Sequence, residues 1–144
     1  MSGKSKPLSD ADYAHLAEFR YTVRRFLEFS AKAACAEGLT PQQHQALLVI
    51  RGSPGVSSSV GRLAERLCLR HNTAVELAQR LEIAGLITRH LNEEDRRSVQ
   101  LELTASGETK LEVLSQAHRR ELRQISLEMR ALFQELSQED PGIL

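Results

Sequence analysis

The sequence predicts a mainly α fold carrying one small β-hairpin, an α+β class, and three features of the chain predict it. Apolar residues recur at three- and four-residue steps over most of its length. The period falls to two between Leu86 and Leu103. Glycine or a capping residue interrupts the pattern wherever one element should give way to the next. With 144 residues, a single domain over 1–144 is expected. The 41% hydrophobic and 26% charged content excludes wholesale disorder. A domain of this size buries roughly two-thirds of its unfolded surface, so surplus apolar helix faces would point to a second subunit.

Residues Met1 to Leu8 read as a loose polar tail. Ser9 and Asp12 resemble a capping box, and Leu16, Val23, Phe26, Leu27, Ala31 and Ala34 then mark one face of a long helix that stops at Gly38. Thr40, Pro41 and Gln43 start a second helix, which carries Ala46, Leu47, Leu48 and Ile50 and ends at Gly52. Ser57, Ser58 and Ser59 offer caps for a short third helix with Leu63, Ala64 and Leu67. Cys68 to His71 leaves room only for a tight turn before a helix from Asn72 to Ala84, closed by Gly85. Leu86, Ile87 and Leu91, then Val99, Leu101 and Leu103, form two strands around the polar tip Asn92 to Arg97. Thr104 begins a last apolar stripe of Leu111, Leu114, Leu122, Ile125, Met129, Leu132 and Leu136, where a slip in spacing near His118 predicts a break or kink between two helices. Helix, tight turn, helix and hairpin in immediate succession is the order of a winged helix-turn-helix. The expected layout is helices over 9–37 and 105–138 around a lobe over 40–104.

Several function classes are excluded at this level. No stretch approaches the roughly 20 apolar residues of a membrane span, and the polar N-terminus has no signal-peptide centre, so a cytoplasmic protein is expected. Cys35 and Cys68 make neither a disulfide framework nor a zinc spacing. No glycine-rich phosphate loop, nucleophile elbow, His-Glu-x-x-His motif or clustered carboxylates suggest an enzyme. The five histidines are scattered, so neither a metal nor another cofactor is expected.

On the helix from Asn72, Ala74, Leu77, Ala78 and Leu81 share one face, which must be the core side. The opposite arc carries Asn72, Glu76 and Gln79, with Thr73 and Arg80 at its edges. Asn and Gln match adenine, Arg matches guanine, and a carboxylate accepts from the cytosine amino group. Taken alone, the face reads as a solvated one with a Glu76–Arg80 ion pair. Charge distribution adds to it. Formal net charge is zero, yet Ser59 to Arg80 holds four Arg (Arg62, Arg66, Arg70 and Arg80) and His71 against two Glu, whereas Leu103 to Leu144 holds five basic against seven acidic residues. A basic helix–turn–helix beside an acidic scaffold suits phosphate binding, and Ser57 to Ser59 at a helix N-terminus offer hydroxyls and amides to a phosphate. At the hairpin, Arg89 precedes a tip in which Arg96 and Arg97 can reach a minor groove. Asp95 suits an internal brace for one of these arginines, while Glu93 and Glu94 fit a merely soluble tip.

Leu63-Ala64-Glu65-Arg66-Leu67, Asn72-Thr73-Ala74-Val75, Arg80-Leu81-Glu82, Gly85-Leu86-Ile87, Arg89, Asp95-Arg96-Arg97 and Leu103-Thr104 with Gly107 resemble the MarR family of transcriptional regulators, over roughly Leu39 to Gly107. The resemblance implies a sequence-specific regulator of transcription, in the first instance a repressor, that binds double-stranded DNA as a homodimer through an inverted-repeat operator. It implies a recognition helix over Asn72 to Ala84 in the major groove, a wing arginine (Arg96 or Arg97) in the minor groove, a brace at Asp95, and dimerisation through the first and last helices. Glu76 departs from the family, which commonly has a basic or small polar residue there. The candidate DNA-binding set is therefore Ser58, Ser59, Arg70, His71, Asn72, Thr73, Glu76, Gln79, Arg80, Arg89, Arg96 and Arg97.

The resemblance also implies a small aromatic or phenolic effector, with Tyr13, Tyr21, Phe26, His44 and Arg51 as candidate contacts; the reading expected ahead of this is core packing for the aromatics and ordinary surface for the other two. For Cys35 and Cys68 a buried or small-residue role is expected over oxidant sensing. The alternative function is a winged-helix module that binds protein, for which Glu76, Glu93 and Glu94 speak.

Overall fold

The computed structural model describes residues 6–53, 58–91 and 99–138. They form α1 (Asp10–Ala36), α2 (Pro41–Arg51), α3 (Val60–Arg66), α4 (His71–Ile83), β1 (Ile87–Leu91), β2 (Val99–Leu103) and α5 (Ala105–Gln138). The expected tail residues 1–5, Ser57 and the hairpin tip Asn92 to Arg97 lie outside the described residues.

Local chemistry sets the helix starts. At α1 the Ser9 N–H donates to Asp12 Oδ2 at 2.7 Å, and the Asp12 N–H donates to Ser9 Oγ at 3.2 Å. Thr40 and Gln43 close the same reciprocal box at α2, at 3.0 and 3.1 Å. Three helices end by one device. Gly38, Cys68 and Gly85 take positive φ (75°, 54° and 74°), and the next residue's N–H reaches back to a carbonyl five positions earlier. These bonds are Leu39 to Ala34 and Leu69 to Ala64 at 2.9 Å, and Leu86 to Leu81 at 3.0 Å. Each returning residue is a leucine, which seats the turn on apolar neighbours.

The chain divides into two compact units, and α1 and α5 each run through both. The unit from Ala31 to Ala117 holds the core. Leu47, Leu63, Leu81, Ile87, Leu101 and Leu114 are almost wholly buried there, each contributing about 1.5–3 kcal/mol by removal from water. The strands pair antiparallel from Ile87↔Leu103 to Leu91↔Val99. Ser58 and Ser59 extend this small sheet, through a Leu101 N–H bond to the Ser58 carbonyl at 2.8 Å and a Ser59↔Gln100 bridge. β2 alternates as expected, but Leu91 at the end of β1 is exposed, because that strand leaves the core after Ile87.

The turn into α5 depends on two residues. Thr104 Oγ1 donates to the Gly85 carbonyl at 2.6 Å and accepts from the Gly107 N–H at 3.1 Å. A Cβ on Gly107 would collide with the Leu86 carbonyl oxygen. This close seating is why a Leu-Thr-x-x-Gly run ends the hairpin. Two ties hold the start of α5 in the same unit: Lys110 Nζ donates to the Glu37 carbonyl at 2.6 Å, and Arg51 Nε pairs with Glu108 Oε1 at 2.9 Å.

The other unit pairs α1 up to Ser30 with α5 from His118. Phe19 meets Phe133 at 6.1 Å between ring centroids, His15 Nε2 lies 2.6 Å from Glu135, and Ile125 and Leu132 are buried. The expected break near His118 is absent: α5 is one continuous helix. His118 is buried against the edges of Phe26 and Phe29, with Nε2 2.8 Å from Ser30 Oγ. A polar residue type occupies a core position there, and a pattern based on residue polarity reads that as a slip.

Candidate nucleic-acid interface

The turn between α3 and α4 spans Leu67 to Arg70 and is fixed by the left-handed Cys68. Arg70 takes the N-cap place of α4 with extended backbone and makes no side-chain cap bond. The first-turn amides of His71, Asn72 and Thr73 therefore have no capping side chain, which leaves a helix N-terminus open to an anion. Arg70, His71, Asn72 and Thr73 are all exposed.

Further along α4, Ala74, Leu77, Ala78 and Leu81 are buried, and Glu76, Gln79 and Arg80 are exposed. At 100° per residue, Asn72, Thr73, Gln79 and Arg80 lie within about 60° of Glu76, giving one continuous polar face. Among the described residues no ion pair joins Glu76 to Arg80. The structure thus brings six of the expected residues (His71, Asn72, Thr73, Glu76, Gln79 and Arg80) onto one short helix, with Arg70 at its start. Sequence reasoning missed Ile83, 86% exposed and in line with Glu76 near the end of this face. The 3.6-residue period rotates it outward, away from the core face of Ala74, Leu77, Ala78 and Leu81.

The remaining candidates are placed differently. Ser58 is 3% exposed, and its hydroxyl donates to the Leu101 carbonyl at 2.8 Å. It stitches the sheet together and offers no hydroxyl to a phosphate, which corrects the expectation for that residue. Ser59 caps α3, its Oγ accepting from the Arg62 N–H at 3.1 Å. Arg62, counted among the basic residues, turns its Nε to Ser53 Oγ at 2.8 Å. Arg89 on β1 sits 3.5 Å from Glu82 at the end of α4, a bridge between helix and hairpin. Arg96, Arg97 and Asp95 lie outside the described residues.

The effector candidates separate by unit. Tyr13, Tyr21 and Phe26 belong to the first. Tyr13 is 60% exposed and Tyr21 likewise open, with the Arg25 guanidinium 5.6 Å from its ring centre, so neither tyrosine is core. Phe26 packs on His118. In the second unit His44 is buried on α2, not surface as expected, because it shares the inward face of Leu47. Arg51 lines an open cleft of about 310 Å³ with Ile50, Ser53, Gln100, Glu102 and Glu108. Both cysteines are free and exposed, so of the expected buried or small-residue role, burial does not hold. Among the described residues no helix is long and apolar enough to cross a membrane.

A helix–turn–helix with an open recognition-type face and an adjoining hairpin defines a winged-helix protein. A sequence model of the MarR family matches residues 37–98. The HTH-type transcriptional repressor MdtR of Bacillus subtilis is 31% identical over 112 residues, spanning 78% of this chain and 68% of that protein. The chain belongs to the MarR family. Solved structures share its fold. The S. aureus MepR F27L mutant bound to an oligodeoxyribonucleotide superposes with a TM-score of 0.69 at 20% identity, over 89% of this chain and 98% of that one. AbsC from Streptomyces coelicolor, a MarR family transcriptional regulator, gives 0.71 at 19% identity, over 94% and 93%.

Proposed function

We infer that this protein is a double-stranded-DNA-binding regulator of transcription, a repressor like its curated relative, acting as a homodimer on an inverted-repeat operator. The exposed polar face of α4 carries the reading. It presents Asn72 and Gln79, whose amides match adenine, and Arg80, whose guanidinium matches guanine, beside a helix start that suits a phosphate. Arg96 or Arg97 serves the minor groove in this reading, with Asp95 as its brace. The homodimer is supported by the other unit, where Tyr13, Leu16, Leu27, Leu122, Leu127 and Phe133 stand open to water. Two-fold pairing of such a face sets two recognition helices about one DNA turn apart. A small aromatic or phenolic effector acts by binding unequally to two separations of those helices. Nothing in this reading calls for catalysis, and it places the protein with DNA in the cytoplasm.

Selection of bound fragments from genomic DNA tests it. Enriched fragments sharing an inverted repeat, with half-sites roughly 10 base pairs apart, are expected. Recovery of fragments with no shared sequence would refute specific binding and favour the protein-binding module.

A further inference from the structure

We propose that Glu76 sets the base preference of α4 by requiring a cytosine at the major-groove position it faces, an inference that rests on the DNA-reading function above. A carboxylate at the centre of a reading face is repelled by the phosphates on either side of the groove. It also has no proton to donate when ionised. Its placement is compatible with binding only where the base edge supplies a donor. Guanine shows two acceptors in the major groove, thymine an acceptor and a methyl group, and adenine an acceptor next to its amino group. Cytosine alone shows an amino donor with no acceptor beside it on the same base.

The structure removes the ion-pair explanation for Glu76. Arg80 follows it by four residues, the favourable order for a helical ion pair, yet the two side chains do not pair, and both are exposed. Four residues advance a helix by roughly 6 Å, under two base steps of about 3.4 Å. Arg80, whose guanidinium matches guanine, therefore reads within two base pairs of the Glu76 position. The carboxylate selects by excluding guanine, thymine and, less strongly, adenine; it adds specificity rather than affinity. The departure of Glu76 from the residue types usual at this place then becomes an operator preference.

The test is selection from a random duplex library by the full-length chain, by Glu76→Gln and by Glu76→Ala, followed by affinities for single-base variants of the selected site. The wild type is expected to select cytosine at one position of each half-site, with roughly a 5- to 150-fold loss when guanine or thymine replaces it. Glu76→Gln moves that position toward adenine, since an amide pairs with both its amino group and N7. Glu76→Ala flattens that position alone and tightens binding to unrelated duplex. If both variants select the wild-type base at every position, the proposal is overturned while the DNA-reading function stands. If the wild type selects no sequence, the function itself fails and the proposal with it.

Discussion

Cys68 holds the left-handed position that Gly38 and Gly85 hold at the ends of the other two helices. For a residue with a Cβ that conformation costs about 1–2 kcal/mol, and the extra freedom glycine brings to the unfolded chain offsets part of the gain from removing it. Cys68→Gly is therefore expected to raise stability by about 0.5–1 kcal/mol in urea unfolding; an unchanged or lower midpoint would show that the turn carries no strain. Gly107 lies at the other extreme. A methyl there meets backbone that cannot move without lifting α5 from the hairpin, so Gly107→Ala should cost about 1–3 kcal/mol. A variant as stable as wild type would mean the contact is looser than its geometry states. These residues also mark what the sequence could reveal. Gly38 and Gly85 announce their turns by type, whereas Cys68 carries no such signal and owes its conformation to the short span between α3 and α4. The burial of the Ser58 hydroxyl is not legible locally, because the sheet that buries it is assembled from β2, more than forty residues away.

At the scale of elements, α4 was legible because its two faces differ in chemistry: small and aliphatic inward, amide, carboxylate and guanidinium outward. The hairpin was legible from its alternation in β2, and less so in β1, where Leu91 faces water. The continuity of α5 was hidden by His118, whose ring packs like an aromatic residue on Phe26 and Phe29. In the proposed reading, function at this scale divides between helix and wing. Asn72→Ala should relax sequence preference in a selected-site assay while leaving binding to non-specific duplex nearly unchanged; an unaltered preference would remove Asn72 from the bases. Arg97→Ala should weaken operator binding with the oligomeric state intact, and an affinity equal to wild type would count against wing contact.

At the scale of the molecule, the neutral total charge conceals a division between a basic helix–turn–helix and an acidic C-terminal stretch from Leu103 to Leu144. Much of the apolar surface on α1 and on the C-terminal half of α5 is left open to water in a lone subunit. Leu127 is 68% exposed, so Leu127→Glu should leave the fold of a single chain intact while shifting sedimentation toward the monomer. A dimer indifferent to it would place the subunit interface elsewhere. The two predictions about DNA and the one about pairing converge on one titration: affinity for a duplex carrying the selected inverted repeat, followed against salt with stoichiometry measured alongside. A dimer per site is expected, with log affinity falling against log salt at a slope of about −5 to −9, the release of counterions from roughly six to ten phosphates. A single chain per duplex, or a slope near zero, would contradict it.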